Sequence, residues 1–300
     1  MRIDWKGIVP ALSTPTKDSG ALDEESMRSE VRWNIDVGAH AVATSLMAGE
    51  FHKFSDAERI RTYEISVHES NGQVPVLAGV SHSGTEVVVY LAKEAEKIGV
   101  DGVIVLPPYF NSTKASYTLY EHYARIAESI SLPIMIQDCE GVGPHMEPEL
   151  WERLAEDFSN IVSVKLEGPG TYEKVLKTKK LLGDELVIFG GMAARDMPRE
   201  LKAGVKGNIP DACLTDVLVE VYENFIAGNV EKGEEIYNTK YMPWLNFLGE
   251  HRLANVEVEK ETLRQRGVIE SSQTRVPRGP LLTDEEKAEL RQILEKTGLV

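Results

Sequence analysis

The sequence predicts an α/β fold, specifically a (β/α)8 TIM barrel with a helical C-terminal extension, on three observations. Short runs rich in β-branched residues recur eight times between residues 7 and 210, they alternate with segments of helical periodicity, and four more helical segments follow the eighth run. Alternation of this kind builds a parallel sheet from βαβ units, and a count of eight points to a closed barrel over an open doubly wound sheet.

The runs are Gly7–Ser13, Ala41–Leu46, Val74–Ala78, Gly102–Leu106, Pro133–Gln137, Ile161–Lys165, Leu186–Phe189 and Gly207–Pro210. Amphipathic segments lie between them at Glu24–Val37, Ser55–Glu69, Thr85–Ile98, Leu119–Ile130, Glu147–Phe158 and Thr171–Leu182. Ser55 with Glu58 three positions on forms a capping box, and Thr85 before Glu86 reads as another helix start. The barrel is expected over residues 1–225 and the extension over residues 226–300, and the four helical segments after the eighth run are Asp216–Ala227, Val230–Asn246, Val256–Arg266 and Thr283–Thr297. The loop RVPRGPLL at 275–282 is its most exposed connection.

Composition narrows the function. With 33 Lys+Arg against 48 Asp+Glu, the net charge of -15 repels phosphate backbones and anionic membrane surfaces, so neither nucleic acid nor membrane is expected as a partner. Two cysteines, Cys139 and Cys213, without a CxxC pair fit a reducing compartment. The first six residues carry charges and no apolar signal core follows, which predicts a cytoplasmic protein. The seven histidines (His40, His52, His68, His82, His122, His145, His251) show no HxH or HExxH spacing, so neither a metal nor a cofactor is expected. Trp244 and Phe247 are expected in the core.

In barrels of this type the chemistry sits at the C-terminal ends of the strands, because the βα loops build the mouth of the site. Lys165 closes the apolar run IVSVK, where a charged ammonium is costly unless it pairs, reaches solvent or reacts. A desolvated amine there can condense with a ketone to form a Schiff base. Two residues on, Glu167 faces the same side if the strand continues, which puts a carboxylate within reach for proton transfer. Gly190 and Gly191 after the seventh run allow either a ligand or a turn to approach the backbone closely.

The whole chain resembles the dihydrodipicolinate synthase and N-acetylneuraminate lyase family of Schiff-base-forming barrel lyases. The matching stretches are GIVPALSTP at 7–15, AGEFHKFSDAER at 48–59, residues 74–111, LPIMIQD at 132–138, IVSVK at 161–165 and GVIESSQTRVPRGPLLTDEE at 267–286. The resemblance implies that Lys165 carries the imine, that the fold is the barrel plus helical extension, and that copies assemble as a homotetramer; a homodimer is the alternative expectation.

Departures from the family pattern are equally informative. The family GTTGE loop is replaced by Leu46-Met47-Ala48-Gly49-Glu50, TPYYN by Pro107-Pro108-Tyr109-Phe110-Asn111, and YNVPGRTG by Gln137-Asp138-Cys139-Glu140-Gly141-Val142-Gly143. Methionine and phenylalanine transfer no protons, so the Thr-Tyr-Tyr relay of the synthases has no counterpart. IMIQD, VKLE at 164–167 and MPWLNF at 242–247 are similar to the 2-keto-3-deoxy sugar-acid dehydratases, particularly those acting on L-2-keto-3-deoxyarabonate.

The expectation is therefore a class I lyase that dehydrates a 2-keto-3-deoxy sugar acid. A pyruvate-dependent aldolase is the alternative, and a non-catalytic 2-oxo acid binder stands behind both. Lys165 and Glu167 are the catalytic candidates. The backbone N–H groups around Met47 and Ala48 are expected to hold the substrate carboxylate, Gln137 to replace the tyrosine over the imine, and Gly190, Gly191 and Ile209 to line the opposite wall.

Overall fold

A computed structural model describes residues 5–109, 116–139, 142–144, 146–168, 170–251 and 254–300. The strands are β1 (Gly7–Ile8), β2 (Val42–Thr44), β3 (Val76–Gly79), β4 (Gly102–Val105), β5 (Ile134–Cys139), β6 (Ile161–Glu167), β7 (Val187–Gly190) and β8 (Gly207–Asn208). The helices that follow them are α1 (Glu24–Asp36), α2 (Asp56–Ser70), α3 (Thr85–Ile98), α4 (Ser116–Ala127), α5 (Pro148–Asp157), α6 (Thr171–Leu182), α7 (Met197–Ala203) and α8 (Thr215–Ile226). Beyond them lie α9 (Val230–Ile236), α10 (Met242–Glu250), α11 (Asn255–Gln265) and α12 (Asp284–Lys296). Eight strand–helix pairs followed by a helical extension are the (β/α)8 order that the sequence predicts.

β1 and β8 are shorter than their runs. Pro10 and Pro210 lack the N–H that would continue each ladder, so regular pairing stops before them. β5 and β6 instead run two residues past the expected ends, to Cys139 and Glu167.

The chain divides into two compact units, one of residues 1–7 and 75–209 and one of residues 8–74 and 210–300. In the first, β3 to β8 form a parallel sheet in sequential order, with Gln137 of β5 opposite Lys165 of β6 and Lys165 opposite Phe189 of β7. Strands covered on both faces read as continuous apolar runs, and Val103, Ile104, Val105, Ile134, Met135 and Ile136 are all fully buried. α3 starts after Gly84 and not on a Thr85 cap; the Thr85 hydroxyl is taken by His122 Nδ1 at 2.9 Å. Burial holds that imidazole down at about 4, so it is neutral.

In the second unit, Ala11 bridges both Ala43 and Asp211. The Ser55–Glu58 capping box opens α2 as expected, and a further one, Thr283 with Glu286, opens α12. The helix expected over Val230–Asn246 is broken into α9, a π-helical turn at Tyr237–Tyr241, and α10. Pro243 explains the break, because its ring collides with the carbonyl four residues back and it has no N–H to donate. Trp244 and Phe247 lie in the core, and Trp244 Nε1 donates to Thr262 Oγ1 at 2.9 Å. Among the described residues, no helix is long and apolar enough to cross a membrane.

Candidate active site

Side chains alternate along a strand, so β6 presents Lys165 and Glu167 on one side and Val164 and Leu166 on the other. The extra two residues of β6 decide the site. They place Glu167 Oε1 3.0 Å from Lys165 Nζ, with the two side chains only 9% and 5% exposed. Gln137 stands beside Lys165 in the ladder and donates its Nε2 to Glu167 Oε2 at 2.5 Å, and the Met192 N–H donates to Glu167 Oε1 at 3.0 Å.

Burial pushes the Glu167 carboxyl up, but the Lys165 ammonium, the Met192 N–H and the Gln137 amide together hold it below its ordinary value. It is a carboxylate held by Lys165, Met192 and Gln137. Cys139, level with Glu167 on β5, is pushed up to about 12 by burial and by the Glu167 charge, so it remains a thiol.

Gly190, the last residue of β7, and Gly191 after it serve close approach, and the approaching groups belong to the protein. A β-carbon on Gly191 would stand 2.4 Å from Glu167 Cγ, and one on Gly190 would stand 2.0 Å from Glu200 Oε2 and 2.4 Å from Asn208 Nδ2. Glu200, on α7, accepts from Asn208 Nδ2 at 3.0 Å. Its carboxyl is pushed up to about 8 by burial and by the charges of Asp196 and Glu167. Past Gly191 the chain makes a left-handed turn, with Met192, Ala193 and Ala194 at φ of 54°, 51° and 51°. Left-handed backbone costs roughly 1–2 kcal/mol per non-glycine residue, and this turn aims the Met192 N–H at Glu167.

Lys165, Glu167, Gln137, Gly190 and Gly191 thus come together in the first unit, with Ile209 beside them through its N–H to the Gly190 carbonyl at 3.0 Å. Met47 and Ala48 lie in the second unit, in a turn after β2 closed by the Glu50 N–H to the Met47 carbonyl at 2.9 Å. Phe110, Asn111, Glu140, Gly141 and His145 fall outside the described residues. No three His, Cys, Asp or Glu side chains among the described residues form a set able to hold a metal.

Sequence reasoning missed a buried ionic node behind the Met47–Ala48 turn. Lys260 of α11, fully buried, donates to Glu50 Oε2 at 2.6 Å, to the Thr14 carbonyl at 2.8 Å and to the Gln273 carbonyl at 3.2 Å. Glu50 holds a left-handed φ of 54° and also pairs with Lys53. Glu30, fully buried, accepts from the Ser13 N–H and hydroxyl at 2.7 Å each, and burial pushes it up to about 7.

Comparison with known proteins agrees with this architecture. Residues 4–297 match the model of the Dihydrodipicolinate synthetase family. The 4-hydroxy-tetrahydrodipicolinate synthase of Methanopyrus kandleri is 30% identical over 305 residues, covering 100% of this chain and 99% of that protein. The L-2-keto-3-deoxyarabonate dehydratase of Azospirillum brasilense is 29% identical over 296 residues, covering 97% and 94%. The crystal structure of dihydrodipicolinate synthase from Thermotoga maritima superposes with a TM-score of 0.90 at 28% identity, covering 99% of this chain and 100% of that one. A TM-score of that size over nearly the whole of both chains establishes the (β/α)8 barrel with its C-terminal helices. The chain belongs to the dihydrodipicolinate synthetase family of lyases.

Proposed function

We propose that the protein is a Schiff-base-forming lyase that dehydrates a 2-keto-3-deoxy sugar acid, with Lys165 as the imine-forming amine and Glu167 as the base. The observation that carries the reading is the buried Lys165–Glu167 pair at 3.0 Å, with the carboxylate gripped by Met192 and Gln137. Lys165 must lose a proton before it attacks a ketone, and Glu167 is in place to take it. Condensation releases one water and leaves an iminium on Nζ. That cation makes the neighbouring C3–H acidic, and Glu167 then removes the proton to give an enamine. The enamine electrons expel the C4 hydroxyl, which leaves as water once protonated. The resulting C3=C4 iminium then loses a C5 proton and gains one at C3, and the C5 enol so formed tautomerises to the aldehyde by giving up its hydroxyl proton and gaining one at C4. Hydrolysis of the imine consumes one water, so the net change is loss of a single water from the substrate.

What favours dehydration over the synthase reaction is the absence of a hydroxyl relay: Met47 and Ala48 stand where that family pattern has threonines, and Gln137 where it has a tyrosine. The relatives named 4-hydroxy-tetrahydrodipicolinate synthase favour a second reading, a pyruvate-dependent aldolase on the same lysine. Incubation with L-2-keto-3-deoxyarabonate separates them. Dehydration gives 2-oxoglutarate semialdehyde, whereas cleavage between C3 and C4 gives pyruvate and glycolaldehyde. Pyruvate release alone would reject the dehydratase.

A further inference from the structure

An ionised carboxylate only accepts hydrogen bonds, so the Gln137 side chain that reaches Glu167 Oε2 must present its NH2 to it. This fixes the amide orientation. The Gln137 carbonyl oxygen, Oε1, faces away, is fully buried, and accepts from no group among the described residues. Gln137 as a whole is 1% exposed. The neighbours across the ladder do not help: the Lys165 ammonium is engaged by Glu167, and Phe189 on the far side of Lys165 has no side-chain donor. A buried amide oxygen without a donor is costly, and a bound molecule that supplies one regains that cost on binding.

We infer that Gln137 Oε1 is a specificity-determining acceptor for a substrate hydroxyl, so that the site selects 2-oxo acids carrying an alcohol and disfavours their deoxy analogues. The inference rests on the imine forming at the neighbouring Lys165. The hydroxyl concerned is the one that stays. The C4 hydroxyl departs as water and needs a proton donor, which an amide oxygen is not, whereas the C5 hydroxyl keeps its oxygen: it donates to Oε1 while the substrate binds and through the elimination, and becomes the aldehyde only in the later tautomerisation. Gln137 then does two jobs with one amide: its nitrogen orients the base and its oxygen reads the substrate.

The test uses 5-hydroxy-2-oxopentanoate and 2-oxopentanoate, which have no C4 hydroxyl to lose and no aldol bond to break. Calorimetric dissociation constants in the wild type should favour the alcohol by about tenfold or more. In Gln137→Met the preference should fall below about threefold, because disturbance of Glu167 affects both ligands alike and cancels in the ratio. Equal ratios in the two proteins would overturn the proposal. The wild type alone supplies a second measurement: 5-methoxy-2-oxopentanoate, which cannot donate, should bind as weakly as the deoxy acid, and binding as tight as the alcohol would also overturn it. Borohydride trapping on the same ligands reads the imine separately. A hydroxyl preference without an adduct would sink the Schiff-base reading and leave the acceptor role standing.

Discussion

A β-carbon at Gly191 and the Cγ of Glu167 would lie 2.4 Å apart, so the glycine after β7 leaves the space in which the Glu167 side chain sits. Gly191→Ala must therefore push Glu167 away from Lys165. The expected result is a folded protein with kcat lowered about 100-fold or more, the size of effect seen when a general base is misplaced by an ångström. Wild-type turnover in a folded Gly191→Ala would show that Glu167 is not needed where it stands.

The left-handed turn at Met192, Ala193 and Ala194 makes an independent prediction about stability. Glycine at position 193 removes a strain of roughly 1–2 kcal/mol and costs about 0.4–1 kcal/mol through the freer unfolded chain. Ala193→Gly should thus be more stable by about 0.5–1 kcal/mol in urea denaturation, while Ala→Gly on an exposed helix destabilises. A loss of stability at 193 would mean that the turn is not strained.

Lys260 and Glu50 form the second unit's buried pair, and Lys260 uses all its donors there. Lys260→Met leaves Glu50 with Lys53 alone, and the expected cost is about 3 kcal/mol or more, typical of breaking a buried pair by removing one partner. Urea titration of the variant measures it; a cost under about 1 kcal/mol would place the pair among ordinary surface bridges.

Glu200 predicts a pH dependence. Its carboxyl is raised to about 8 in the folded protein from an ordinary value of 4.5, by burial first and then by Asp196 and Glu167. Between those values the folded state holds a proton that the unfolded state has released, so this stabilising contribution is complete below about 4.5 and is lost as pH rises through about 8. Glu200→Gln cannot ionise and still accepts from Asn208. Relative to the wild type it should gain on the order of 2–3 kcal/mol between pH 6 and pH 9. Parallel pH profiles for the two proteins would contradict the assignment.

What was legible in the sequence followed from local periodicity. A strand alternates every second residue, so Lys165 and Glu167 on one side of β6 could be read from IVSVKLE once the strand was allowed to continue. The Ser55–Glu58 box and the eight-unit count were legible for the same reason. The rest depends on chain segments that meet only in the fold. Lys260 and Glu50 are separated by 210 positions, and Glu167 and the Met192 N–H by 25, with no periodicity linking either pair. The Gly190–Gly191 pair was visible as a place of close approach, but only the structure shows that carboxylates of Glu200 and Glu167 fill it. Glu200 reads in sequence as one more acidic residue of a short helix, because nothing nearby marks that face of α7 as buried.

Covalent bonding of Lys165 to a 2-oxo acid is read by reduction with borohydride in the presence of pyruvate or L-2-keto-3-deoxyarabonate. Peptide mass spectrometry should find the reduced adduct on Lys165, formed more slowly but still present in Glu167→Gln, where water takes the amine proton, and absent from Lys165→Ala. Unmodified Lys165 after reduction with both acids, or an adduct on a different lysine, would rule out Lys165 as the imine-forming amine.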